Sequence, residues 1–317
     1  MQIARRRSSA TCARSRRWKS DASARSQRHY WGWGMTLILS KGIRLRHTYI
    51  GTDDPDAAAY IAAVEAADEA ASPGIGGLET AVKVAIHSFV KGCKAAGIWP
   101  AIKASCILAG ARTLDGALVP LVGAAPTNPF VNPANESLGR LFVSGDYNRK
   151  TGLLGNGSTK YLDSNRSANA ELQNSRHLAV YATQAMSNAG IYIGAESVAN
   201  RNSIYGNSTV VATALMQGTV NNTTVNKNVA TGLISASRSA SNLTTWRVSG
   251  STGTFGNSSV TDNTFGSVIV FARRDVGTII THSNARIAFY SIGESLDLAI
   301  LDARVTTLIN AIGAAIP

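Results

Sequence analysis

Apolar residues change their spacing once along the chain, from a helical repeat to a strand-like one. Over residues 52–123 they recur at intervals of three and four, as on one face of a helix. The pattern predicts helices over 55–71 and 78–96, and a third, short helical element within 98–110. Trp99 is the expected core anchor of this small helical module.

The stretch 145–166 reads as turn, strand and turn, and it marks the change to β-type sequence. Beyond it, short runs with β-branched or alternating residues are separated by Asn, Gly and Ser clusters that favour turns. Such spacing is typical of a two-sheet sandwich or jelly roll. The predicted strands are 160–162, 177–182, 190–193, 210–215, 232–236, 243–248, 267–272 and 286–292.

The chain closes with a predicted helix. Asp297 suits its N-cap, and Leu296 and Leu301 have the spacing of a hydrophobic staple. The fold class predicted is α+β: a small α-helical N-terminal module followed by an antiparallel β-sandwich, a concanavalin A-like jelly roll, with a C-terminal helix. The expected divisions are an arm over 1–51, the helical module over 52–123, a Pro- and Asn-rich linker over 124–144, and the sandwich with its helix over 145–317.

The net charge of +12 belongs almost entirely to the arm. Residues 1–46 hold 12 of the 31 Lys and Arg residues and one acid, so the rest of the chain is nearly neutral. The arm lacks periodicity and is expected to be disordered. It fits a phosphate-binding arm, an organelle transit peptide, or an upstream extension of a protein that starts at Met35. Nucleic acid is therefore not the expected partner of the folded body.

The sequence offers few candidate catalytic residues. The span 151–295 contains six acids, and none lies between Ser197 and Thr261, so the paired carboxylates of a glycosidase are not evident. Three cysteines without metal-ligand spacing favour buried free thiols. No run of 18 apolar residues occurs, so no membrane span is predicted. We expect no enzyme activity, no catalytic residue, no metal and no cofactor.

Carbohydrate binding is the function that the composition favours, because sugars are held by amides, hydroxyls and flat aromatic rings on loops. Each candidate could equally be a core or an ordinary surface residue. The candidate ligand-binding residues are Tyr192, Asn202, Tyr205, Trp246 and Arg247. Asp163 and Asn165 are the one suggestive pair of calcium ligands, and an Asx-turn is the favoured interpretation there.

Three passages, 89–123, 146–166 and 284–312, resemble tail-fibre-like virion proteins of tailed bacteriophages and prophages. They contain FVKGCKAAGIWPAIKA, GLLGNGSTKYLD and RIAFYSIGESLD. The resemblance implies a concanavalin A-like, laminin-G-like sandwich and a place in the virion after synthesis in the bacterial cytoplasm. It implies host-surface glycan or other virion proteins as partners, with a homo-oligomer possible. No ligand residue carries over, because the matched residues form strands and turns.

The expectation is thus a non-enzymatic, tail- or fibre-associated virion protein whose sandwich binds host glycan or another virion protein. Two alternatives stay open: an assembly protein without a ligand, and a secreted bacterial carbohydrate-binding protein of the same fold. A polysaccharide-active enzyme is a weaker alternative because of the missing acids, and nucleic-acid binding would rest on the arm alone.

Overall fold

The computed structural model describes residues 54–196, 201–206, 211–218 (backbone only), 231–256 and 266–317. The predicted arm, with Met35, lies outside them. Both long terminal helices begin at an aspartate, because its side chain accepts hydrogen bonds from otherwise unpaired amides. Asp297 does this for the last helix, as predicted, with Ala299 N at 2.8 Å. The helices are α1 Pro55–Ala71, α2 Thr80–Ala95, α3 Leu114–Ala117 and α4 Leu298–Ala315.

Sixteen strands are described. They are β1 Ile102–Ile107, β2 Pro120–Val122, β3 Tyr147–Asn148, β4 Gly152–Leu154, β5 Leu162–Ser167, β6 Arg176–Gln184, β7 Gly190–Glu196, β8 Arg201–Gly206, β9 Val211–Gly218, β10 Gly232–Ala240, β11 Leu243–Val248, β12 Ser251–Gly256, β13 Ser267–Val270, β14 Arg273–Asp275, β15 Thr278–Ile280 and β16 Arg286–Gly293. The eight predicted runs correspond to β5, β6, β7, β9, β10, β11, β13 and β16, although the first overlaps β5 only at Leu162.

Two sheets form the sandwich. The first has the order β12-β11-β10-β6-β16-β1-β2, and β4 and β3 continue it beside β16. The second has the order β15-β14-β7-β13-β5, and β8 and β9 extend it from β7. β14 pairs with β7 in parallel, and the other pairings between described strands are antiparallel. The predicted α+β class, with an antiparallel sandwich and a C-terminal helix, is confirmed.

The first sheet is covered on both faces. On β16, Tyr290 belongs to the core between the two sheets, whereas Phe289 belongs to the core between the sheet and the helices. The Phe289 ring meets the Phe89 ring of α2 edge-on, with centroids 5.8 Å apart. Leu301 and Val305 of α4 complete the second core. A single sheet therefore joins the helices to the sandwich.

The predicted third helical element is confirmed only over Trp99–Ala101, a short 3-10 helix, and is wrong beyond it. Residues 102–107 form β1, which pairs with β16 near the middle of the first sheet. Its six positions are almost all buried, because one face packs on the second sheet and the other on the helices. Such a continuous apolar run cannot be told from a buried helix by periodicity alone. The expected helical module over 52–123 thus contains β1 and β2, and Trp99 is only half-buried.

The predicted linker over 124–144 is attached to the sandwich by specific contacts. The Asn128 side chain donates to the Phe142 carbonyl at 2.9 Å and accepts from the Phe142 amide at 3.0 Å. Phe142 is fully buried, and its ring lies 5.1 Å from that of Phe271. Thr127 exchanges backbone hydrogen bonds with Asp163 of β5. This segment is therefore packed against the second sheet.

The predicted burial of free thiols is confirmed for Cys93 and Cys106. Desolvation raises the pKa of Cys93 to about 12, so this thiol is unreactive at neutral pH. Within the described ranges, Leu298–Ala315 is long and apolar enough to cross a membrane by length and composition alone. Core helices pass the same test, and the apolar side of α4 packs on the first sheet and on α2.

Candidate functional site

The five residues singled out in the sequence do not form one site. Tyr192 is 1% exposed and Asn202 is 3% exposed, so both are enclosed and neither side chain is available to a ligand at the surface. This corrects their expected role. The cause is the strand alternation around them, which turns both side chains toward the space between the sheets.

The other three candidates lie apart. Trp246 of β11 packs half-buried against the inter-sheet core and over Gly253, where an added methyl group would come within 2.4 Å of the indole ring. Arg247 points to the opposite face, where its Nε is 2.7 Å from Asp302 Oδ2 of α4. Tyr205 is half-buried on β8, beside Ile191 in the second sheet. Contact of these three residues with a ligand stays a prediction.

A different set of side chains converges at one end of the sandwich, which we name the loop-end site. Three loops build it: 155–161 between β4 and β5, 185–189 between β6 and β7, and 281–285 between β15 and β16. Their backbones are joined directly. Gly155 N donates to Ala285 O at 3.0 Å, and Gly157 N donates to Ser283 O at 3.1 Å.

Glycine permits this close approach. A Cβ on Gly155 would lie 2.1 Å from Ser283 O, and one on Gly190 would lie 2.7 Å from His282 O. Real Cβ atoms do not come this close to a carbonyl oxygen. The Asn-Gly-Ser clusters that predict turns in the sequence thus also allow the three loops to pack against one another.

Asparagine side chains hold the loops in place. Asn188 Nδ2 donates to His282 O at 2.9 Å, and Asn284 Nδ2 donates to Ser187 Oγ at 2.6 Å. Asn156 Oδ1 accepts from the amides of Thr159 and Lys160, at 2.9 and 3.0 Å. Because the amide groups are used internally, they fix the loop geometry rather than offer free hydrogen bonds.

Tyr161 and His282 provide the chemistry of the loop-end site. Their rings are tilted by 53° with centroids 6.1 Å apart, a favourable aromatic geometry, and both are half-buried. Within the described part of the chain, neither the Tyr161 hydroxyl nor the His282 imidazole has a hydrogen-bond partner. Burial lowers the pKa of His282, so the imidazole is neutral at pH 7 and has one donor and one acceptor nitrogen.

Two carboxylates in the segments that flank the loop-end site are paired with cations. The carboxylate of Asp146 pairs with Lys160, and that of Asp163 lies 2.8 Å from Arg274 Nη2. The expected Asx-turn is confirmed, since Asn165 N donates to Asp163 Oδ1 at 2.9 Å. Across the described ranges, no group of three His, Cys, Asp or Glu side chains is placed to hold a metal ion. The arrangement is suited to binding.

The sequence contained one usable signal for this site. Turn-forming residues are grouped in three clusters, and two of the clusters contain an aromatic or imidazole ring. The clusters are GNGSTKY, SNAG and HSNAR. The sequence predicts turns at GNGS and SNAG and a strand from Lys160, and it does not predict that these segments meet. Their proximity follows from the strand order, which brings the ends of β4, β6 and β16 together.

No protein-family model and no curated relative matches the sequence. One similar solved structure is the carbohydrate-binding module CBM40 of the Ruminococcus gnavus IT-sialidase, bound to α2,3 sialyllactose. It is 8% identical to this chain at a TM-score of 0.37, and the match covers 49% of this chain and 95% of that one. The NanB sialidase of Streptococcus pneumoniae is 12% identical at a TM-score of 0.36, covering 47% of this chain and 26% of that one. A sialidase mutant of Trypanosoma rangeli is 12% identical at a TM-score of 0.42, covering 72% and 39%. The chain thus spans about a quarter of the Streptococcus sialidase. The similarity is partial and concerns the fold alone.

Proposed function

We propose that this protein is a non-enzymatic carbohydrate-binding protein that holds a glycan at the loop-end site. The observation that supports the proposal is the Tyr161–His282 ring pair, half-exposed and without hydrogen-bond partners among the described residues. A sugar ring offers an apolar face to an aromatic side chain and hydroxyl groups to polar atoms beside it. The ring pair supplies both kinds of contact in one place.

Preorganisation strengthens this assignment. Binding is weakened by the cost of ordering loops and side chains, and a site whose loops are already fixed avoids much of that cost. Here the backbone bonds of Gly155 and Gly157 and the side chains of Asn188 and Asn284 fix the loops without a ligand. The free polar atoms are therefore held in place for a partner.

The absence of activity is also a proposal. A glycosidase needs one protonated and one ionised carboxyl group across the bond that it cleaves. The most buried acid of the second sheet, Glu196, is 3% exposed and pairs with Arg273 and Arg201. Asp163 is paired with Arg274 and accepts from Ser267 Oγ. Acids that are neutralised in this way are structural partners rather than a proton donor and a nucleophile.

The virion is the location that we propose, on the strength of the resemblance of three passages to tailed-phage proteins. There the loop-end site would contact host-surface glycan. A secreted bacterial carbohydrate-binding protein would use the same site in the same way. Detection of the chain in purified phage particles, by mass spectrometry, distinguishes the two locations.

A second candidate function is assembly without a ligand, and one observation favours it. The segment 128–143 exposes three apolar side chains, Val131, Leu138 and Val143, each more than half exposed. Exposed apolar surface is common at protein–protein contacts, and these three side chains come from one short segment. In this case the sandwich would serve as a building block between virion subunits.

A glycan array with the full-length protein tests the proposal. We expect wild-type protein to bind a defined set of glycans and Tyr161→Ala to lose at least about tenfold in affinity, the equivalent of one good contact. Trp99→Ala is the control, because it removes a half-buried aromatic ring just before β1, which begins beside the other end of β16. A blank array together with a stable oligomer in light scattering would contradict glycan binding and favour assembly. Hydrolysis of a bound glycan would refute the non-enzymatic part.

A further inference from the structure

A groove lies on the outer face of the first sheet, beside the C-terminal half of α4, and we name it the α4 groove. Its volume is about 720 Å³, within the range of small-molecule sites. The side chains around it are mostly hydroxyl or amide groups. It is lined by Lys150, Thr151, Tyr181, Ala182, Thr183, Thr231, Gly232, Leu233, Ser249, Gly250, Asp302, Thr306, Ile309, Asn310 and Gly313.

Tyr181 offers a polar group to a ligand in the α4 groove. This side chain is only 8% exposed, and its hydroxyl has no hydrogen-bond partner in the described part of the chain. The hydroxyl oxygen keeps contact with solvent, so it is open to a ligand in the groove. The exposed Asn310 amide, on the rim of the groove, is likewise unpartnered within the described ranges.

The charged group in the floor is already neutralised. Asp302 is 7% exposed, accepts from Arg247 Nε at 2.7 Å and accepts from Thr306 Oγ1 at 3.1 Å. Its carboxylate is therefore not available as a base or as an open cation site. Gly232 at the start of β10 and Gly250 in the turn between β11 and β12 also line the groove and add no side chain to it. The groups left for a ligand are the exposed Lys150 ammonium on the rim, hydroxyls and an amide, all of which can bond to sugar hydroxyls.

Two short segments of chain lead from the α4 groove to the loop-end site. Thr183 lines the groove, and Ser187 of the loop-end site follows four residues later. Thr151 also lines the groove, and Gly155 follows it by the same interval. Four residues of extended chain span at most about 14 Å. A ligand a few sugar units long can therefore reach from one site to the other.

We infer that the α4 groove is a second sugar-binding subsite and that the ligand is a linear oligosaccharide running from the loop-end site into it. This inference rests on the proposed function. It specifies the ligand class, because a single terminal sugar fills only the loop-end site. Affinity then depends on chain length, and the two sites contribute separately.

The test uses the full-length protein on arrays printed with oligosaccharide ladders, from disaccharide to hexasaccharide. Asn310→Trp fills the groove from its rim, and Ala303→Trp places the same bulk on an exposed α4 position two turns earlier. Tyr181→Phe is a milder variant that removes one hydroxyl and keeps the ring. Melting temperatures establish that each variant is folded.

We expect wild-type affinity to rise at least about tenfold along the ladder that binds. Asn310→Trp and Tyr181→Phe should abolish that rise and keep disaccharide binding, Ala303→Trp should bind like wild type, and Tyr161→Ala should lose every length. A wild-type ladder without a rise, or a rise that survives Asn310→Trp, overturns the inference while glycan binding stands. Equal losses in Asn310→Trp and Ala303→Trp overturn it as well, since they point to α4 packing. No binding to any ladder overturns both proposals.

Discussion

The imidazole of His177 is enclosed in the first sheet and accepts a hydrogen bond from the Ser291 hydroxyl at Nε2, over 2.8 Å. Its Nδ1 donates to the Glu294 carbonyl at 2.6 Å, which fixes the neutral tautomer. Burial lowers the pKa of His177 to about 4 from the usual 6.5. The unfolded chain therefore takes up a proton at a higher pH than the folded protein does. The free energy of unfolding falls as pH drops from 6.5 toward 4, and this histidine does not change it above that window.

For this histidine we expect the free energy of unfolding to be on the order of 2 kcal/mol lower at pH 5 than at pH 7. Urea titrations at the two pH values measure the difference. His177→Gln keeps polar atoms in the site but does not titrate, so its pH dependence should be smaller. An equal pH dependence in wild type and variant would contradict the assignment.

Asp68 joins α1 to the start of α3. The carboxylate is 1% exposed and accepts from Arg112 N at 2.8 Å and from Thr113 N and Thr113 Oγ1 at 2.8 and 2.7 Å. Asp68→Asn would replace one accepting oxygen by an NH2 group, which is itself a donor and would face these donors. We expect a loss of roughly 2 kcal/mol or more in unfolding free energy. Asp115→Asn, at an exposed acid of α3, is the control and should change stability little. Chemical denaturation compares them.

Gly152 has φ +95°, and a Cβ there would lie 2.2 Å from the Ile287 carbonyl oxygen of β16. We expect Gly152→Ala to destabilise the protein by about 3 kcal/mol or more. The alanine would adopt an unfavourable backbone conformation, and the backbone of β16 would also have to move away from its Cβ. Gly76→Ala separates the two effects. Gly76 has φ +80° with no atom within 4 Å of an added Cβ, so it should show only the conformational cost of about 1 kcal/mol. Similar melting temperatures for both variants would contradict this.

The Arg247–Asp302 pair attaches α4 to β11. Both side chains are mostly buried, so removal of one partner leaves the other charge poorly solvated. We expect Asp302→Asn to cost roughly 2 kcal/mol and to speed amide hydrogen exchange in α4 more than elsewhere. Arg304→Met is the control, because Arg304 is an exposed arginine of the same helix with no ion pair among the described residues. Uniform changes in exchange across the protein would contradict a local role for the pair.

Local sequence determined the elements that depend on interactions between residues close together in the chain. The alternation along β6, β10 and β16 and the turn clusters between them predicted the strands of the sandwich, and the Asp297 cap predicted the start of α4. β8 and β12 were missed because Ser, Asn and Gly in these strands resemble turns, and they are strands only through pairing with β7 and β11.

Tertiary structure decided what depends on contacts between distant residues. β1 is a strand because β16 pairs with it, and no periodicity shows that when both faces are covered. Tyr192 and Trp246 have the composition of sugar-binding residues, yet packing encloses the first and half-buries the second. Tyr161 and His282 lie far apart in the sequence and meet because hydrogen bonding brings three loops to one end of the sandwich. Sequence alone specifies which residues favour turns and strands; which side chains face a ligand is set by the free energy of packing the whole fold.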